Sequence, residues 1–113
     1  MDPVRAASAR ATLEAERAHL RSELDAEIES PGQMTYGSQA AAASQVVAQQ
    51  RDLALREKAE KELELVESAL TRLDGGTFGR CLRCGGEIAV GRLEALPWAA
   101  HCIACQKLVG PGR

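Results

Sequence analysis

Cys81-Leu82-Arg83-Cys84 and Cys102-Ile103-Ala104-Cys105 are two Cys-x-x-Cys pairs separated by seventeen residues, and they hold every cysteine of the 113-residue chain. Pairs roughly fifteen to twenty residues apart match a four-cysteine zinc site, in which each pair sits on a tight turn and the segment between folds back to close a tetrahedron. Four thiolates leave no coordination position for water, so such a metal is structural and not catalytic. Soft thiolates in a tetrahedral set suit zinc. The expected cofactor is one structural Zn2+ with Cys81, Cys84, Cys102 and Cys105 as ligands.

Other uses of these cysteines fit less well. Two disulfides need an oxidising compartment, whereas Met1-Asp2-Pro3 opens a charged, alanine-rich segment with no apolar signal core. A redox pair belongs near a strand-helix-strand pattern, which is missing, and has no use for a second pair at zinc spacing. His101 precedes Cys102, but four thiolates already fill the shell, so it reads as a surface or supporting residue. The two histidines are far apart and no nucleophile-base pattern is present, which points to a non-enzymatic protein.

Outside the cysteine segment the composition is helical. Alanine, leucine, glutamate and arginine dominate the first three quarters, and one Trp, one Tyr and one Phe are too few for a large globular core. Residues 1 to 74 carry nine Arg or Lys against fourteen Asp or Glu; residues 75 to 113 carry five against two. A formal net charge of -2 argues against duplex nucleic acid as the main partner, since neutralising phosphates needs a basic face. No apolar run approaches membrane-spanning length, and a cytoplasmic monomer is expected.

Two domains follow: a helical hairpin over 1–74 and a zinc module over 75–113. The first helix, about residues 4 to 29, has Ala6, Leu13 and Leu20 spaced by seven, with Leu24 and Ile28 continuing the edge. Ser30-Pro31-Gly32 stops it. A tip over 30–38 precedes the second helix, about 39 to 73, whose later part alternates cleanly at Ala59, Leu63, Val66, Leu70 and Leu73. Val46, Leu53 and Leu55 do not keep that phase. A fold-back about Met34 places Leu24 near Val46, Leu13 near Leu55 or Arg56, and Ala6 near Leu63, leaving the end of the second helix to meet the zinc module.

Asp74-Gly75-Gly76 ends the hairpin, and the glycines offer the left-handed closing conformation. Gly85-Gly86 lets the chain turn under the metal. A short strand is expected over Glu87 to Val90 and one or two helical turns over Gly91 to Leu96, with Phe78, Ile88, Leu93, Leu96 and Trp98 as a small core. The last residues, Gly110-Pro111-Gly112, read as a frayed end. The fold class is mostly α: an antiparallel helical hairpin, or coiled coil, followed by a small four-cysteine zinc finger.

The segment Gly76-Thr77-Phe78-Gly79, Cys81, Cys84-Gly85, Ile88, Arg92-Leu93-Glu94-Ala95, Pro97, Cys102 and Cys105-Gln106 closely resembles the zinc finger of the DksA/TraR family of bacterial transcription factors. The resemblance implies a hairpin with the finger at its base, direct binding to RNA polymerase without DNA, and insertion of the hairpin tip through the secondary channel. Members of that family carry two aspartates at the tip. This chain has no carboxylate between Ser30 and Arg51, so an electrostatic action at a catalytic magnesium is not carried over. Gln106 stands where certain members have lysine, and a response to the alarmone nucleotide is not carried over either.

The candidate partner contacts are Gln33, Met34, Thr35 and Tyr36 at the tip and, as part of a charged rim on the finger, Arg92. Each has an ordinary reading as well. Met34 and Tyr36 can simply cover the hairpin end, and Arg80, Arg83 and Arg92 can be solvated charges. A different class of function stays open: a structural or adaptor coiled-coil protein whose finger only caps a helix pair.

Overall fold

Among the described residues the elements are four helices: α1 (Pro3–Asp25), α2 (Gln39–Gly75), α3 (Val90–Ala95) and α4 (Ile103–Val109). The computed structural model describes residues 2–26 and 39–110; the expected tip contacts Gln33, Met34, Thr35 and Tyr36 lie outside these.

Local chemistry sets the helix ends. Asp2 caps α1 by accepting a hydrogen bond from the Val4 amide at 3.0 Å, and Pro3 occupies the first helical position, where its missing N–H costs nothing. The helix closes at Asp25, earlier than the expected 29, with Ala26 turned to ψ 109°. At the other end of α2, Gly76 takes φ +76°, the Thr77 amide reaches back to the Arg72 carbonyl at 2.9 Å, and the Gly76 amide to the Leu73 carbonyl at 3.3 Å. This double closure satisfies carbonyls that would otherwise end the helix unpaired, and its left-handed residue favours glycine.

The two long helices pack antiparallel through one apolar seam. Leu13 and Leu20 from α1 are buried with Ala59, Val66, Ala69 and Leu70 from α2, flanked by the half-buried Ala9, Leu24, Leu63 and Leu73. Leu13 and Val66 are fully buried. Burying a side chain of this size contributes roughly 1.5 to 3 kcal/mol, so the pair of helices is held by a handful of residues.

The pairing register differs from the fold-back about Met34. Leu24 does not lie near Val46: its carbonyl accepts from Arg56 Nη1 at 2.9 Å, while Arg21 meets Glu67 at 3.0 Å and Arg10 meets Asp74 at 2.7 Å. Counting residues equally from a central turn assumes that turn geometry sets the register. Packing sets it instead: only the in-phase stretch of α2 from Ala59 to Leu73 offers a continuous seam to Leu13 and Leu20. Val46, Val47, Leu53 and Leu55 remain exposed as a result.

The same shift carries the start of α1 down to the zinc module. A cleft is lined by Arg5, Ser8, Ala9 and Thr12 of α1 and by Phe78, Val90, Leu93 and Pro97. The start of α1 therefore faces the module across this cleft, so the end of α2 is not alone beside it. The cross-helix ion pairs are exposed and register the seam more than they stabilise it; replacing Arg21 by alanine should cost less than about 1 kcal/mol in a thermal melt.

Candidate metal centre

The first cysteine pair sits on a hydrogen-bonded turn. The Gly85 amide donates to the Cys81 carbonyl at 2.9 Å and the Cys81 amide to the Gly86 carbonyl at 2.7 Å. Gly85 adopts φ +74°, a conformation an L side chain enters only at a cost of about 1 kcal/mol. The Gly86 amide points at Cys84 Sγ, 3.4 Å away, and a Cβ at Gly86 would approach that sulfur to 3.3 Å. The turn thus aims an N–H at a sulfur and keeps the space beside it clear.

The second pair uses a helix start for the same purpose. Cys102 is the N-cap of α4, its sulfur accepting from the Cys105 amide at 3.5 Å, while the Gln106 amide donates to the Cys102 carbonyl at 2.8 Å. One bond ties the two cysteine segments together and another braces the second. The Leu82 amide reaches the Ala100 carbonyl at 2.8 Å, and Arg92 Nε reaches the His101 carbonyl at 3.0 Å. Arg92, expected as a partner contact, is half-buried and braces the second pair from α3.

The result is a convergence of all four thiols. The sulfurs of Cys81, Cys84, Cys102 and Cys105 lie within 4.8 Å of one another, and Cys84 and Cys102 are 3.9 Å apart. Zn–S bonds of about 2.3 Å directed to the corners of a tetrahedron place the sulfurs about 3.8 Å apart. A disulfide needs about 2.05 Å, and all four cysteines are free. His101 is not part of the cluster; it is half-buried, and its Nδ1 has no hydrogen-bond partner among the described residues. The donor set fits one structural zinc ion, as the spacing implies.

Electrostatics show why a cation belongs there. Burial pushes the Cys81 thiol up, but hydrogen bonds from the backbone of Cys84, Cys102 and Arg83 and from the Cys84 side chain outweigh it and bring its pKa down to about 6. Cys105 goes the other way, pushed up to about 12 by hydrogen bonding with Cys102, by burial, and by hydrogen bonding with Cys81 and Cys84. Without a metal, one thiol ionises and its neighbour keeps its proton to bond to it. Zinc needs all four as thiolates, so its uptake releases protons, that of Cys105 among them, and its affinity falls on acidification. Calorimetry in buffers of different ionisation enthalpy should read this release; zinc uptake without it would contradict the arrangement.

Around the thiols lies the small core: Phe78, Ile88, Leu93, Ala99, Cys81 and Cys105 are buried and Trp98 is half-buried. Leu96, expected in that core, is exposed, because α3 ends at Ala95 and the chain turns there. The expected strand over Glu87 to Val90 reduces to a single antiparallel bridge between Arg80 and Glu87; the Ile88 amide then bonds the Gly79 carbonyl at 2.8 Å, and Val90 already starts α3. Ala99 and Arg72, whose Nη2 reaches the Trp98 carbonyl at 3.5 Å, gave no signal in the sequence.

Residues 76–108 match the model of the prokaryotic DksA/TraR C4-type zinc finger. The finger is thus similar to those of the DksA/TraR family. The chain is similar to the RNA polymerase-binding transcription factor DksA of Haemophilus influenzae, 42% identical over 57 residues, and to that of Escherichia coli K12, 39% identical over 57 residues. These matches take in 50% of this chain but only 39% and 38% of those relatives. The solved structure of transcription factor DksA2 from Pseudomonas aeruginosa superposes with a TM-score of 0.80 at 29% identity, covering 96% of this chain and 85% of that one. The likeness to DksA2 therefore takes in the hairpin together with the DksA/TraR finger. None of the described helices is long and apolar enough to cross a membrane.

Proposed function

We propose that this chain is a non-enzymatic transcription regulator of the bacterial cytoplasm, binding RNA polymerase directly as a monomer and inserting the hairpin end remote from the finger into the secondary channel. The observation that supports this most is the joint likeness to DksA2 across finger and hairpin, with the finger following the end of α2 and facing the start of α1 across a cleft. In this reading zinc fixes the finger as a rigid foot, the seam of Leu13, Leu20, Val66 and Leu70 keeps the hairpin straight, and residues 33–36 meet the polymerase interior with Arg92 at the finger contributing to the outer contact.

The sequence of the tip narrows the mode of action. With no carboxylate between Ser30 and Arg51, insertion acts by occupying space and not by presenting charge to a metal ion or a basic loop. Sequence-specific DNA binding is not expected, since the net charge is negative. The test is co-elution of the zinc-loaded protein with core RNA polymerase, free of DNA, at micromolar concentration. Association without DNA supports the reading; its absence, with zinc bound and helices intact, would overturn it and favour the adaptor role.

A further inference from the structure

We infer that Arg72 is a positioning residue that sets the angle between the hairpin and the zinc finger. Its Nη2 reaches the Trp98 carbonyl at 3.5 Å, and among the described residues this is the one side-chain hydrogen bond that crosses from hairpin to finger. The ion pairs of the described residues all lie within the hairpin. Arg72 is half-buried, and burial holds its pKa below the ordinary arginine value, so the guanidinium needs an acceptor where it lies.

Apolar contact alone leaves the angle loose. Phe78 and Leu93 of the finger share one buried cluster with Leu70 of α2, but contact of this kind is non-directional and serves as a pivot. The chain crosses the pivot through Gly75 and Gly76, where a Cβ would meet nothing within 4 Å. Clefts open on both sides: one of about 230 Å³ between α1 and the finger, and one of about 450 Å³ lined by Lys58, Lys61 and Leu65 of α2 and by Leu96, Trp98 and Ala100. The finger therefore has room to tilt either way, and fixing it takes a second point of attachment. Arg72 supplies that point: its carbonyl accepts the Thr77 and Phe78 amides at 2.9 and 3.2 Å, so one residue holds both the connecting turn and the Trp98 segment. From Arg72 back to Gln39, α2 runs about 50 Å, and a tilt of about 10° at its base carries the far end through about 9 Å. A partner that contacts finger and hairpin together reads this angle, whether or not it is the polymerase.

The experiment records amide residual dipolar couplings of the full, zinc-loaded chain and of two variants: Arg72→Met, which keeps an unbranched stem and removes the donor, and Arg72→Lys, which keeps a cationic donor. In the unaltered chain one alignment tensor should fit the amides of α1, α2 and the finger together. Arg72→Met should need a separate tensor for the finger, with weaker alignment than the hairpin's, while zinc content and helicity stay unchanged. Arg72→Lys should recover part of the shared alignment. A hairpin and finger that already align separately in the unaltered chain would overturn the inference, as would a single tensor that still fits Arg72→Met. Equal loss in both variants would overturn the bond to Trp98 as the means by which the angle is set. Loss of zinc or of helicity in Arg72→Met would make Arg72 a folding residue and overturn its positioning role.

Discussion

Replacing Cys84 by serine should release the zinc and unfold the module after Gly76, while most of the helicity of α1 and α2 persists. Structural zinc supplies about 10 to 16 kcal/mol of apparent binding energy at neutral pH in small modules, and that energy is folding energy. The finger has little to replace it: its core is Phe78, Ile88, Leu93, Ala99 and two of the cysteines, with Trp98 only half-buried. Cys84 is itself exposed, so the substitution creates no cavity and its effect reads the metal alone. Metal analysis together with far-ultraviolet circular dichroism checks this. Undiminished zinc stoichiometry would contradict the four-thiolate site.

Replacing Leu13 by alanine should cost about 2 to 5 kcal/mol, the range for deleting a fully buried leucine side chain, and lower the hairpin's melting temperature accordingly. Among the described residues Leu13 and Val66 are the large side chains with no exposure, so nothing nearby opens to solvent to refill the space. Leu53→Ala on α2 serves as the internal comparison. Leu53 is exposed and out of register, so its loss should be within about 0.5 kcal/mol of neutral. A seam running from Leu24 to Val46 would instead make Leu13 and Leu53 or Leu55 comparable, and equal losses would contradict the observed register.

What the sequence revealed and what it withheld follow from the kind of information each feature carries. Cysteine spacing fixes a site almost completely, because four identical donors at two short separations have few ways to converge; the 3.9 Å approach of Cys84 and Cys102 is the geometry that spacing implies. Periodicity names faces, and the faces holding Leu13, Leu20, Val66 and Leu70 are the buried ones. It does not name the register between two faces. That depends on which stretch of α2 keeps phase with α1, and the loss of phase upstream of Ala59 was visible while its consequence for Leu24 and Arg56 was not. Arginine roles were equally hidden. Whether Arg56, Arg72 or Arg92 meets solvent or a particular carbonyl is decided by the tertiary fold: Arg56 and Arg72 donate to backbone oxygens 32 and 26 residues away, and Arg92 to one nine residues on, across the turn after α3. Short irregular segments such as Glu87 to Leu96 lack the length over which any period can declare itself, which is why a strand was expected where a single bridge and a helix form.

A photo-crosslinker placed at Tyr36 in the zinc-loaded chain, bound to core RNA polymerase, tests the central claim most directly. Insertion of the hairpin predicts crosslinks to polymerase residues lining the secondary channel near the catalytic centre, lost together with zinc in the Cys84→Ser protein. Crosslinks confined to the outer surface of the enzyme, or none from a chain that retains its zinc and its helices, would contradict it.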